Sequence, residues 1–335
     1  MSILVGTGRG TRAGVLVKSA EALELFGRVD TLLLDKTGTI TEGKPKLRHI
    51  EALAPDFSEL EVLTLAASVE QASEHPLASA IVDAARERGA SLGPVEGFEY
   101  RPGRGVLGTV NGARVVVGTQ RLLAELDVPS ESSGLMVAVN GRAVARLDVA
   151  DSIRRAAAET LLELERDGLS LVMLTGDSRA NAEAVSRELR VRLAVHAEML
   201  PHQKAEFVTQ LRGEGRRVAM AGDGINDAPA LAAADVGIAM GSGTDVAIQS
   251  AGITLVSSEL AALLRARRLS RAVMRNIRQN LGFAFAYNLL GVPVAAGVLY
   301  PAFGWLLSPM IASAAMAASS ISVVANALRL RHSQV

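Results

Sequence analysis

The 335-residue chain contains no cysteine, which removes a disulfide frame, a zinc knuckle and any thiolate metal site from consideration. Aromatic residues make up only 3% of it, so nothing in the composition points to a stacking platform for bases. Excess charge of either sign is also missing, since Lys+Arg and Asp+Glu number 35 each. No charge-driven polyanion partner is implied, and no nucleic acid is expected. The opening MSILVGTGRGTRAG lacks an apolar core long enough for a signal peptide and does not read as a transit peptide. The length leaves room for two cores plus a membrane element.

What is present is a set of apolar runs that each break into a short polar tip. Run 29–34 ends at Asp35 and opens DKTGTIT. A buried strand there would deliver a carboxylate into a glycine-containing turn, the end of an open α/β sheet where ligands bind and where it could attack a phosphoryl group. Run 169–174 leads to Thr175, Gly176 and Asp177, and run 218–221 leads to GDGINDAPAL. Between them, MLPHQKAEF sets Lys204 in the first turn of a predicted helix. The tips supply a nucleophile, hydroxyl and amide donors for phosphate oxygens, a cation, and further carboxylates for Mg²⁺. One such Asp could simply cap its turn; four tips of the same kind point to phosphoryl transfer.

At these residues the chain resembles the P-type ATPases of the haloacid-dehalogenase-like superfamily, whose phosphorylation-domain motifs DKTGTIT, TGD and GDGINDAPAL match nearly letter for letter. The resemblance implies that ATP phosphorylates Asp35, with Lys36 and Thr37 in the same motif. It implies Mg²⁺ on the Asp35 and Asp223 carboxylates and the Thr37 carbonyl. Thr175 and Lys204 would hold phosphoryl oxygens, Gly176 and Asp177 would share the Thr175 tip, and Asn226 and Asp227 would complete the site. Superfamily phosphatases usually carry Asp two positions after the nucleophile, as general acid and base. Thr37 stands there instead, and a hydroxyl cannot exchange a proton at neutral pH as a carboxylate can, so an aspartyl phosphate should persist.

More than a hundred residues separate the strand ending at Asp35 from the TGD strand, which predicts an inserted domain at 45–145. Helices around 60–67 and 76–88, strands 106–110, 114–117 and 135–139, and Asn111-Gly112 and Asn140-Gly141 as hairpin turns describe a small α/β sandwich. On their own, His75 before Pro76 is an ordinary first-turn residue and the Gly103/Gly105 pair a strand turn. Beside DKTGT, SEHPLA and RPGRGVLG resemble the nucleotide-binding domain of heavy-metal P-type ATPases, which implies that Glu70, His75, Gly103 and Gly105 hold ATP. The family often has Asn after the Val-Gly pair that here is Val117-Gly118; this chain has Thr119, which bears on ATP affinity.

Predicted helices 156–166 and 179–189 and strands 236–239 and 253–256 continue the alternation expected of a parallel sheet covered on both faces. Residues 281–300 and 305–327 then carry no charge, and each is long enough to span a bilayer. Arginines precede the first, and Arg329, Arg331 and His332 follow the second, which puts both ends in the cytoplasm. Tyr287 and Asn288 fall in the first, while Met316, Ser319 and Ser320 share one face of the second. Such residues also line transmembrane contacts for packing alone. FAYN and MAASSISVVANALRLR resemble the last two helices of copper(I)-transporting P-type ATPases, which implies Tyr287, Asn288, Met316 and Ser319 as copper ligands. A thioether suits a soft monovalent ion, whereas zinc pumps of the family carry Lys and Asp there.

The expected fold is therefore α/β: a haloacid-dehalogenase-like parallel-sheet phosphorylation domain with an inserted α/β nucleotide-binding domain and a C-terminal transmembrane helical hairpin. VGTGRG resembles the stretch after the Cys-Pro-Cys helix of the heavy-metal branch, so the chain reads as the C-terminal portion of a longer pump, without the actuator domain. The expected division is stalk 1–28, phosphorylation domain 29–44 and 146–265, nucleotide-binding domain 45–145, stalk 266–280, and membrane helices 281–300 and 305–327. The function implied is ATP-driven copper(I) export through an aspartyl phosphate, in the cell membrane with the catalytic domains cytoplasmic. ATP with Mg²⁺, Cu(I) or Ag(I), the lipid bilayer and, through the full-length pump, a copper chaperone are the partners implied. A membrane-anchored phosphatase of the superfamily and a non-catalytic partner of an intact pump are the alternative readings.

Overall fold

The computed structural model describes residues 1–129, 134–241, 243–257, 259–296 and 309–332. In chain order its strands are β1 (Val15–Val17), β2 (Thr31–Asp35), β3 (Thr41–Ala52), β4 (Val95–Arg101), β5 (Gly105–Val110), β6 (Ala113–Thr119), β7 (Leu135–Val139), β8 (Arg142–Ile153), β9 (Ser170–Leu174), β10 (Leu193–His196), β11 (Val218–Gly222), β12 (Val236–Ala239) and β13 (Ile253–Leu255). The chain divides into two units, Met1–Ile40 with Arg154–Val335, and Thr41–Ile153.

The first unit is built on a seven-stranded sheet in the order β1-β13-β12-β11-β2-β9-β10, parallel except where β1 meets β13. Parallel strands are covered on both faces and so read as continuous apolar runs; Leu32, Leu33 and Leu34 of β2 and Ala219, Met220 and Ala221 of β11 are fully buried. Helices Ala157–Arg166, Arg179–Leu189 and Pro201–Gly213 are the crossovers. The strand order sets β2 between β11 and β9, with Leu34 opposite Ala221 and Asp35 opposite Leu174. Asp35, Thr175 and Asp223 consequently leave the sheet at the same edge.

The second unit is a six-stranded antiparallel sheet, β3-β8-β7-β6-β5-β4. Helices Glu59–Glu70 and Pro76–Glu87 cover it through Val62, Leu63, Ala66, Ile81 and Ala85, which pack with Val115, Val117 and Val137. Ser58 caps the first of these helices reciprocally with Glu61. Both Asn-Gly pairs turn hairpins with two positive φ angles, 51° and 80° at Asn111-Gly112 and 50° and 80° at Asn140-Gly141.

Helix Ala261–Ala295 runs for 35 residues through the expected stalk into the first expected membrane segment. Its N-terminal half is fastened to the first unit. Arg267 donates to the Phe26 and Val29 carbonyls, Arg268 and Arg271 pair with Glu163 and Asp167, and Ser270 donates to the Leu23 carbonyl. Gly6 and Gly10 let helix Ser2–Arg12 lie against it, since an added Cβ would stand 2.4 Å from Val273 and 2.9 Å from Leu269. Helix Pro309–Leu328 joins through amides: Asn276 donates to the Asn326 carbonyl at 2.8 Å and Asn326 to Asn280 at 2.9 Å.

The transmembrane hairpin does not follow from this structure: among the described residues no helix is long and apolar enough to cross a membrane. Of the first expected span, 281–300, residues 297–300 lie outside the described residues, and of the second, 305–327, residues 305–308 do. The expected link, 301–304, lies outside the described residues.

Candidate active site

Asp35 closes β2 with its carboxylate buried. Lys204, from the start of helix Pro201–Gly213, reaches it with Nζ 2.5 Å from Asp35 Oδ1 and 2.8 Å from Asp227 Oδ1. Asp223 follows β11, and the one-turn helix Ile225–Asp227 folds Asp227 back beneath it. Carboxylate oxygens of Asp35, Asp223 and Asp227 lie within 4.8 Å of one another.

The turn Lys36–Ile40 wraps this cluster. Gly38 has φ 73°, and a Cβ there would stand 1.7 Å from Asp223 Oδ2, so only glycine fits both the backbone angle and the space. Arg154 pins the turn from behind, donating to the Gly38 carbonyl at 2.5 Å and the Thr39 carbonyl at 3.0 Å. Lys36 is buried and pairs with Asp177 at 2.5 Å. Thr175 is buried too; its Oγ1 accepts the Asp177 N–H at 3.1 Å, which leaves the hydroxyl proton free to donate. Gly176 crosses close to the Met199 carbonyl, 3.3 Å from where a Cβ would be.

Thus Asp35, Lys204, Asp223 and Asp227 meet, and Lys36 and Asp177 are tied to one another beside them. Asn226 does not join: it is exposed and makes no hydrogen bond among the described residues. Thr37 is exposed within the turn, at φ −75° and ψ 128°. Arg154 was not legible in advance, because one arginine after a strand looks like any surface charge until the fold brings it to carbonyls 116 residues away.

Three carboxylates around one ammonium leave an excess of negative charge in a largely buried site. Burial, then the Asp227 charge, push Asp35 up to about 7 against the pull of Lys204. Burial and Asp227 likewise raise Asp223 to about 6. Burial draws Lys204 down, but Asp35 and Asp227 more than offset it and hold the ammonium above its ordinary value. Clustered hard oxygens with unbalanced charge are the donor set that Mg²⁺ takes, so these residues fit that ion.

The second unit holds a cleft of about 160 Å³ whose lining includes Glu70, His75, Gly103 and Gly105, together with Thr119. His75 Nδ1 accepts the Leu77 N–H at 3.2 Å, capping helix Pro76–Glu87 and leaving Nε2 to carry the ring proton. Both the ordinary capping role and a binding role are thus open to it at once. At Gly105 φ is 146° and a Cβ would stand 2.2 Å from the Val117 carbonyl oxygen. Burial pushes Glu70 up to about 7, so its carboxyl can act as both donor and acceptor near neutrality.

The four expected copper ligands are less assembled. Tyr287 and Met316 are 41% and 73% exposed, and Asn288 donates to the Ala284 carbonyl of its own helix. The Ser319 carbonyl accepts from Ser322. No hydrogen bond joins any two of the four among the described residues.

A haloacid dehalogenase-like hydrolase family model matches residues 29–235, the span that contains every polar tip of the first site. The copper-exporting P-type ATPase of Legionella pneumophila is 55% identical over 99% of this chain. The chain belongs to the P-type ATPases of the haloacid dehalogenase-like group. The silver-exporting P-type ATPase of Salmonella typhimurium is 50% identical over 99% of the chain. A zinc-transporting PIB-type ATPase in its E2.Pi state superposes with a TM-score of 0.84 at 37% identity, over 98% of this chain and 54% of that one. The chain spans 46% and 42% of the length of the copper and silver relatives. In this P-type ATPase the likeness therefore extends over both units and the C-terminal helices, not over the motifs alone.

Proposed function

We propose that the chain carries the phosphorylation cycle of a copper(I)-exporting pump, with ATP as phosphoryl donor and Asp35 as acceptor. The observation that carries the reading is the buried Asp35 carboxylate bonded to Lys204 and grouped with Asp223 and Asp227, with Thr37 in place of a second acid. Asp35 Oδ attacks the γ-phosphorus of ATP; the bond from that phosphorus to the β–γ bridging oxygen breaks, ADP leaves, and an acyl phosphate remains. Lys204 and the Thr175 hydroxyl stabilise the charge on the transferred oxygens. Asp35, Asp223 and the Thr37 carbonyl would hold Mg²⁺, which when bound would neutralise charge on those oxygens. Later attack of water on phosphorus releases phosphate and restores the carboxylate. Thr37 cannot take up that water's proton, so this step is slow until the rest of the cycle assists it.

Glu70, His75, Gly103 and Gly105 hold the nucleotide in this reading. In a quenched single turnover, ADP should appear in a burst approaching one per chain while phosphate lags behind it. ADP and phosphate released together would favour the phosphatase reading instead.

Copper(I), with silver(I) as the close rival, is the proposed cargo, and the cell membrane the proposed location. Support comes from the names of the relatives and from the exposed apolar side chains of Phe285, Leu289, Leu290, Val292 and Ile321. Lipid would cover that surface. In a chimera carrying residues 261–332 of this chain in the Legionella relative, Met316→Ala should lower Cu(I)-stimulated ATP hydrolysis at least about tenfold, the loss of one soft ligand. Unchanged stimulation would remove Met316 from the metal path.

A further inference from the structure

Charge is distributed unevenly in this neutral chain. From residue 260 onward the sequence holds eight arginines and neither Asp nor Glu, and no acid precedes Glu21. The arginines divide into two groups. Arg265, Arg267, Arg268 and Arg271 are engaged with the first unit, at Ala13, Phe26, Val29, Glu163 and Asp167. Arg275, Arg278, Arg329 and Arg331 are exposed and have neither an ion pair nor a hydrogen bond among the described residues.

Three of these four border clefts. Arg275 and Arg329, with Asn276, Gln279 and Asn326, line a cleft of about 490 Å³ where the two C-terminal helices meet. Arg275 also borders a second cleft of about 640 Å³, shared with Arg278 and Arg28. One turn further along the helix the surface changes to exposed apolar groups, Leu281, Phe283 and Phe285. A guanidinium fork with polar amides beside it is built for phosphate oxygens, and the adjoining apolar strip for an acyl chain. No Asp or Glu lines either cleft, so neither lining offers a carboxylate to pair with a choline ammonium.

We infer that the cleft between Arg275 and Arg329 binds the headgroup phosphate of a net-anionic membrane lipid. The inference rests on the membrane reading of the C-terminal helices. Binding there ties helix Ala261–Ala295 to helix Pro309–Leu328 at the bilayer surface, just beyond the arginines that hold the first unit.

The test uses the full chain in nanodiscs of equal phosphatidylcholine and phosphatidylglycerol, re-extracted in mild detergent, with retained lipid quantified by mass spectrometry. The ratio of retained phosphatidylglycerol to phosphatidylcholine should rise about fivefold over that of the input, as expected of guanidinium attraction to anionic lipid. Arg275→Gln with Arg329→Gln should return the ratio to that of the input. Lys44→Gln with Lys46→Gln, which removes the same charge from the second unit, should leave the enrichment intact, as should added inorganic phosphate. Enrichment that survives the arginine pair, that the lysine pair abolishes equally, or that free phosphate displaces overturns the lipid site. A chain that fails to enter nanodiscs defeats the membrane reading itself, and the lipid site with it.

Discussion

Asp35 is held between a proton and a cation. With its pKa raised to about 7 from an ordinary 3.8, the folded chain keeps a proton that the unfolded chain loses between those values. Stability from this group therefore falls as pH rises from about 4 to about 7 and is level above that. A divalent cation replaces the proton, so Mg²⁺ should raise the thermal midpoint by several degrees near pH 8 and by much less near pH 5.5, where protons compete for the same oxygens. A shift equal at the two pH values, measured by scanning calorimetry, would mean that Mg²⁺ binds elsewhere. At this scale the sequence was informative about identity but not about pairing. Asp35, Thr175 and Asp223 each stood at a polar tip that could be read from apolar runs, and Lys204 in the first turn of a predicted helix. The Lys36–Asp177 and Arg154–Gly38 contacts are made by distant segments that only the folded sheet brings together.

Elements were legible where local chemistry dictated them. Helix Arg179–Leu189 and strands Leu135–Val139 and Val236–Ala239 have the bounds expected of them, and both Asn-Gly pairs turn hairpins. β3 was not visible, because Gly43, Pro45 and register shifts on either side of it break its alternation. It is held instead by Asp151 of β8, which accepts from Thr41 Oγ1 and from the Gly43 and Lys44 N–H groups. β10 has only four residues, too few to show a period. The rim of the nucleotide cleft gives the sharpest test of an element. Gly105→Ala would drive a methyl into the Val117 carbonyl and part β5 from β6, whereas nothing lies within 4 Å of a Cβ at Gly103, whose cost is only its φ of 67°. ATP affinity measured by calorimetry should fall at least about tenfold, or 1.4 kcal/mol, for Gly105→Ala and distinctly less for Gly103→Ala. The reverse order would mean that loop conformation, not strand approach, shapes the cleft.

For the whole molecule, the two units have distinct sheets, one parallel and one antiparallel, and the second leaves and rejoins the first at Ile40–Thr41 and Ile153–Arg154. Arg154, at that return, also holds the turn that follows Asp35 through the Gly38 and Thr39 carbonyls. Helix Ala261–Ala295 gathers the first unit at one end and exposes apolar groups toward the other. Its charge-free sequence was legible; its extent as one helix fixed by Arg267, Arg268 and Arg271 was not, since those bonds depend on carbonyls and acids in sequence-distant segments of the same unit. All of this serves the claim that phosphate passes covalently through Asp35. The direct measurement is to incubate the folded chain with γ-labelled ATP and Mg²⁺, quench in acid, and map the label by peptide mass spectrometry. The account predicts an acid-stable, hydroxylamine-labile phosphate on the peptide bearing DKTGTIT, absent from Asp35→Asn; label that persists in that variant, or a folded wild type that takes none, would contradict it.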